Sequence, residues 1–110
     1  MVALFSYGTL QQRGVQLANY GRELIGQADA LIGYRLDTII IADPHVVELS
    51  CKSVHTIARV SANPDDRVVG TVFELTDDEL ETTDTYETSA YARIEVVLES
   101  GRSAWAYVAA

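Results

Sequence analysis

Apolar runs of strand length recur along this chain, and nearly every one is closed by glycine or by a cluster of turn residues. Val2–Tyr7, Thr38–Ile41, Val46–Leu49, Val54–Val60, Val68–Leu75, Tyr91–Leu98 and Ala104–Val108 all have this form. Runs of four to eight residues, rich in β-branched side chains and bounded by turn formers, predict strands rather than helices. Glu23–Leu36 is longer and is punctuated by Gly26 and Gly33; it reads as one extended strand, bulged or bent at the glycines. Ala62-Asn63-Pro64-Asp65-Asp66 is the clearest turn, and Ser100-Gly101-Arg102 has the form of a tight hairpin turn.

One segment departs from this pattern. Thr76-Asp77-Asp78-Glu79 has the form of a capping box, in which the Thr76 hydroxyl and the Glu79 carboxylate satisfy free amides reciprocally. Leu75 and Leu80 flank it as a hydrophobic staple, and Asp77 and Asp78 suit the positive end of a helix dipole. A helix is expected from here to Tyr86 or Glu87. Val15–Tyr20 carries only a weak helical signal. Many strands with one well-marked helix predict an α+β domain over residues 1–110, a small mixed twisted sheet closing into a barrel and flanked by a few short helices.

The chain has 110 residues, 48% of them hydrophobic, enough for one core and too few for two ordinary domains. Its formal net charge is −8, with no basic stripe, so nucleic-acid binding is not expected. Cys51 is the only cysteine, which excludes an intrachain disulfide. No run approaches a membrane span, and the apolar start Met1–Phe5 lacks the basic flank of a signal peptide. A cytoplasmic protein, monomeric or weakly homodimeric, is the expectation.

Two places could carry chemistry. Counted in steps of three and four from Leu80, one face of the helix holds Thr83, Asp84 and Glu87. Were that face to pack inward, one or two carboxylates would be buried and their pKa raised, as a general acid or base near neutral pH requires. Periodicity alone leaves this reading level with a solvated helix end. The second place is Tyr7-Gly8-Thr9-Leu10, where Gly8 permits a positive φ and successive amides could form an anion-holding nest. Spacing alone favours an ordinary strand-to-loop turn there.

Other constellations carry less. His45 and His55 are ten residues apart and in no helical metal motif, and Cys51 with His55 makes a poor nucleophile pair. No Gly-x-Ser-x-Gly elbow and no phosphate-binding Gly-x-x-x-x-Gly-Lys is present.

Four ordered blocks resemble the γ-glutamylcyclotransferase superfamily, including its AIG2-like and butirosin-pathway members. Leu4-Phe5-Ser6-Tyr7-Gly8-Thr9-Leu10 is similar to the family's N-terminal Tyr-Gly-Thr-Leu element, and Leu31-Ile32-Gly33-Tyr34-Arg35-Leu36 to its Gly-Tyr-x-Leu strand. Val69-Gly70-Thr71-Val72-Phe73-Glu74-Leu75 resembles the segment before the family's helix. Asp84-Thr85-Tyr86-Glu87 and Tyr91-Ala92-Arg93 look like its Asp-x-x-Glu and Tyr-x-Arg elements. The chain departs from the pattern at Thr88, where many relatives have glycine, and at Thr83, where leucine often stands. A basic residue and glycine that often follow the first motif are displaced to Arg13-Gly14.

The resemblance implies Glu87 as the catalytic glutamate and Tyr7, Gly8, Thr9 and Leu10 as the loop holding a small γ-glutamyl substrate. Tyr91 and Arg93 are implied as orienting groups, with strand packing and an ion pair as their plainer reading. The implied reaction is attack of the substrate's α-amine on its own γ-carbonyl, giving 5-oxoproline and a free amine. It needs no metal and no cofactor. The alternative is a non-catalytic small-molecule-binding module of the same fold.

Overall fold

The computed structural model of the chain describes residues 1–40, 54–87 and 89–110. In chain order the elements are β1 (Val2–Ser6), a 3-10 turn (Thr9–Gln11), α1 (Arg13–Tyr20), β2 (Gly26–Ile32), β3 (Tyr34–Ile40) and β4 (Val54–Val60). They continue with β5 (Arg67–Leu75), α2 (Asp77–Tyr86), β6 (Tyr91–Val97) and β7 (Ser103–Ala109). The expected strand at Val46–Leu49, and with it Ile41, His45, Cys51 and Thr88, lies outside the described residues.

Five strands form one sheet in the order β2-β5-β1-β7-β6, and β3 pairs with β4 separately. The sheet is mixed. β1 runs parallel to β7, with Leu4 opposite Trp105 and Phe5 opposite Ala106, while the other pairs are antiparallel. This is the expected α+β class. Among the described residues the hydrogen-bonded ladders do not join into a closed barrel. Instead the β3–β4 pair packs on the sheet through contacts of β4 with β7 and of β3 with β5.

The reading of Glu23–Leu36 as one bent strand is corrected. Gly33, at φ +82°, divides it into β2 and β3, which join different ladders. A left-handed residue is far cheaper as glycine than with a Cβ, so the reversal falls there. Gly70 answers to a different constraint. A Cβ on it would lie 2.3 Å from the Ser6 carbonyl oxygen and 2.8 Å from the Phe5 ring, so glycine allows β5 to approach β1.

Two apolar clusters make the core. Leu4, Leu10, Val15, Leu75, Leu80, Tyr86 and Tyr107 form one, under the helices. Phe5, Leu31, Val68, Val72, Leu98 and Ala106 lead the other, with Ile94 and Val96 packed against it as the alternation of β6 predicts.

α2 starts as expected. The Thr76 hydroxyl accepts the Glu79 N–H at 3.1 Å, and the Glu79 carboxylate accepts the Thr76 N–H at 2.9 Å. Glu79 also holds Arg22 through two bonds of 2.9 and 2.7 Å, tying the start of α2 to the segment after α1. By contrast α1 has no side-chain cap at its start, which is why its sequence signal was faint. It is held by tertiary bonds: buried Gln16 donates to the Leu10 carbonyl at 2.8 Å and accepts the Leu24 N–H at 2.9 Å. Among the described residues no helix is long and apolar enough to cross a membrane.

Candidate active site

The buried face of α2 carries Leu80, Thr83 and Tyr86, and Glu87 follows as its C-cap. The Glu87 N–H still donates to the Thr83 carbonyl at 3.0 Å, so the residue is fixed by the last helical turn although its own backbone is extended. Burial pushes the Glu87 carboxyl up to about 8, and the nearby Asp84 carboxylate adds to the rise. The negative end of the α2 dipole acts in the same sense. The inward reading of Glu87 is therefore the one realised.

Asp84 behaves differently. It stays partly exposed, accepts the Tyr107 hydroxyl at 2.5 Å and pairs with Arg93 Nε at 3.0 Å. Of the two acidic side chains on the predicted face, Glu87 is half-buried and Asp84 is paired at its edge.

Around Glu87 stand four tyrosines. Its charge acts on Tyr7 after β1, Tyr20 of α1, Tyr91 of β6 and Tyr107 of β7. Burial is the main influence that raises each of these phenols above its ordinary value, Tyr20 up to about 12. All four remain neutral hydroxyl donors at physiological pH.

The N-terminal block comes within electrostatic reach of Glu87 through Tyr7. The Tyr7 hydroxyl donates to the Tyr107 carbonyl at 2.7 Å and accepts the Ala58 N–H at 2.9 Å, so it is a clamp. Gly8 has φ −124°, so the positive φ that a glycine permits is not used there. Among the described residues, a Cβ there would meet only the Thr56 hydroxyl, at 3.9 Å. The Thr9 hydroxyl bonds the Tyr86 hydroxyl at 2.9 Å. Leu10 turns its side chain into the first core cluster, so only its backbone can serve a ligand. In the 3-10 turn the Gln11 N–H returns to the Gly8 carbonyl at 3.1 Å; the Thr9 and Leu10 amides precede the first bond of the turn.

Tyr91 and Arg93 follow their plainer reading in part. The Tyr91 hydroxyl donates to the Thr56 carbonyl at 2.7 Å. Arg93 pairs with Asp84 and lies over the Trp105 ring, 4.5 Å from its centroid. Sequence reasoning missed Tyr20, Tyr86 and Tyr107. A compositional signal was present: six tyrosines against two phenylalanines in a small core. Five of the six gather here, where hydroxyls can be bonded.

The mixed sheet and the capped helix bring Glu87 among Tyr7, Tyr20, Tyr91 and Tyr107. The chain belongs to the γ-glutamyl cyclotransferase, AIG2-like family, whose model matches residues 4–110. No curated protein matches the chain.

Solved structures share the fold. One described as a gamma-glutamyl cyclotransferase superposes with a TM-score of 0.74 at 20% identity, over 99% of this chain and 66% of that one. An Arabidopsis thaliana protein solved in solution gives 0.73 at 21%, over 98% and 68%. An uncharacterized Homo sapiens protein gives 0.72 at 21%, over 99% and 66%. The chain thus spans about two thirds of the length of these three neighbours.

Proposed function

We propose that the chain is a cyclising enzyme that releases an amine or amino acid from a γ-glutamyl compound as 5-oxoproline forms, with Glu87 as the proton carrier. The observation that carries this reading is the half-buried Glu87 carboxyl, fixed by the last turn of α2 among four tyrosines and raised to about 8. A glutamate with an ordinary value near 4.5 would be a weak base and could not give a proton back at neutral pH.

The chemistry follows from that group. Both reacting atoms belong to one substrate, so the protein chiefly has to hold the γ-glutamyl chain folded with amine against carbonyl. An entering α-ammonium, being positive, draws Glu87 toward its carboxylate form. Its resting proton gone to solvent, Glu87 first takes the extra proton of the ammonium and passes it to solvent, which frees the nitrogen lone pair. It then accepts a second proton from the amine as the amine nitrogen bonds the γ-carbonyl carbon. The carbon–nitrogen bond to the leaving amine breaks, and the proton passes from Glu87 to that nitrogen. The Thr9 and Leu10 amides are suited to the substrate carboxylate or the tetrahedral oxyanion, and the Gly8 backbone, lacking a Cβ, to close approach. Tyr7 and Tyr91 shape the site from fixed positions.

The test is release of 5-oxoproline from a panel of γ-glutamyl amino acids, γ-glutamyl amines and ε-lysyl isopeptides. Turnover of at least one class, abolished by Glu87→Gln, is expected. Binding of 5-oxoproline without turnover of any member would replace the enzyme by a binding module.

A further inference from the structure

One ion pair beside the site has no part in the chemistry above. Asp84 precedes Glu87 by three residues, close to one helical turn. Its Oδ1 receives both the Tyr107 hydroxyl at 2.5 Å and Arg93 Nε at 3.0 Å. Arg93 and Tyr107 face each other across the β6–β7 ladder, so their side chains leave the sheet on one face and converge. The Trp105 ring backs the guanidinium at 4.5 Å. Asp84 therefore docks α2 onto a donor pair that the sheet has already assembled.

Tyr107 also joins the two ends of the site. Its hydroxyl grips Asp84, while its carbonyl holds the Tyr7 hydroxyl at 2.7 Å, at the entry to the Gly8–Leu10 loop. Helix end and loop thus share one anchor. Fold stability is a poor reason for this arrangement. The Asp84 and Arg93 side chains are 39% and 30% exposed, and ion pairs in such settings contribute at most about 1 kcal/mol.

We propose that Asp84 is a positioning residue for Glu87: gripped by Tyr107 and Arg93, it sets where the last turn of α2 presents the Glu87 carboxyl and places a second carboxylate beside it. This rests on the cyclotransferase reading for its purpose, though its physical core is independent of turnover. Among the described residues, Asp84 is the charge that acts on Glu87 near neutral pH. Tyr7 just after β1, Tyr20 from α1, Tyr91 from β6 and Tyr107 from β7 are neutral phenols there. Glu79, on α2, is paired with Arg22 at the opposite end of the helix, and Glu74, on β5, with Arg102. Arg93 reaches Glu87 through Asp84, whose charge it partly offsets.

The experiment follows the Glu87 side-chain carboxyl by carbon-13 NMR across pH in the full chain, beside 5-oxoproline release. Asp84→Asn keeps an oxygen for the Tyr107 hydroxyl and removes the charge. Glu87 should then hold its proton about tenfold less tightly. Arg93→Gln uncovers the Asp84 charge, and Glu87 should hold its proton roughly threefold more tightly. The opposed directions identify a charge acting on Glu87, which loosened packing would not produce. The pH at which activity rises should move with each titration.

An unchanged Glu87 titration in a folded Asp84→Asn protein would overturn the proposal, as would a downward move in Arg93→Gln. Should Asp84→Asn fail to fold, the direction in Arg93→Gln decides alone. If both titrations move as expected while the wild-type chain turns over none of the panel, the Asp84–Glu87 coupling stands and the cyclotransferase reading falls.

Discussion

At Glu87 the same burial that suits proton transfer opposes the charged fold. Its folded-state value, about 8, lies above the ordinary 4.5, so between these pH values the folded protein keeps a proton that the unfolded chain has lost. The contribution is complete below about pH 4.5 and fades as pH rises through 8, by at most about 1.4 kcal/mol per pH unit. Urea unfolding across this range should show wild type losing stability relative to Glu87→Gln as pH rises. Taking the difference removes the other carboxylates; Asp29, Asp37 and Glu79, lowered by their hydrogen bonds and neighbouring cations, act in the opposite sense on acidification. A flat difference would show that Glu87 titrates as a solvated acid. Gly8 offers a second residue-scale prediction. Among the described residues a Cβ at Gly8 would meet only the Thr56 hydroxyl, at 3.9 Å, so Gly8→Ala should leave the melting temperature nearly unchanged. If substrate lies over that backbone, kcat/KM should fall about tenfold.

Among the elements, α2 and β5 show how differently local and tertiary constraints are written. The capping box was legible because its partners are three residues apart, and Thr76 and Glu79 make both bonds. Thr76→Ala should lower stability by about 1 kcal/mol in chemical denaturation, with helix loss confined to the first turn. Gly70 looked like an ordinary interruption of a strand. The reason for it lies on β1, where the Ser6 carbonyl leaves no space for a Cβ. Gly70→Ala should cost about 3 kcal/mol, read as a lower denaturation midpoint, because backbone rather than a side-chain tip must shift. The Gly33 break and α1 were harder to read for a related reason. A positive φ can serve a bulge or a reversal equally, and α1 is held by Gln16 bonds to Leu10 and Leu24 rather than by a cap.

Across the whole molecule, two tyrosines complete what the ladders leave open. Thr56 and Ala58 are two apart on β4, so the Thr56 carbonyl and Ala58 N–H point to one edge, away from β3. The Tyr91 and Tyr7 hydroxyls take these two groups and tie β4 to the site. Tyr7→Phe leaves the Ala58 N–H without this partner, at about 1–3 kcal/mol, and Tyr91→Phe does the same to the Thr56 carbonyl. Hydrogen exchange should report faster exchange in β4 in either variant, with β1–β5 protection kept. Equal loosening of both sheets would mean that β4 is not separately docked.

The sequence by itself determined the strand-rich α+β class, the start of α2, the β6–β7 turn at Gly101 and the order of the family blocks. Each is written in neighbouring residues: period, caps and turn chemistry act over a few positions. It placed Glu87 on a suspect face but left burial open, since helical phase cannot say what covers a face. Tertiary structure decided that. It brought Tyr7, just after β1, and tyrosines from α1, β6 and β7 around one carboxyl, whose burial raises its proton affinity. It also made Tyr7 a clamp, sent Leu10 into the core and set Asp84 on the Arg93–Tyr107 pair. Such roles depend on desolvation and on partners up to 100 residues apart, as for Tyr7 and Tyr107. No local pattern records them.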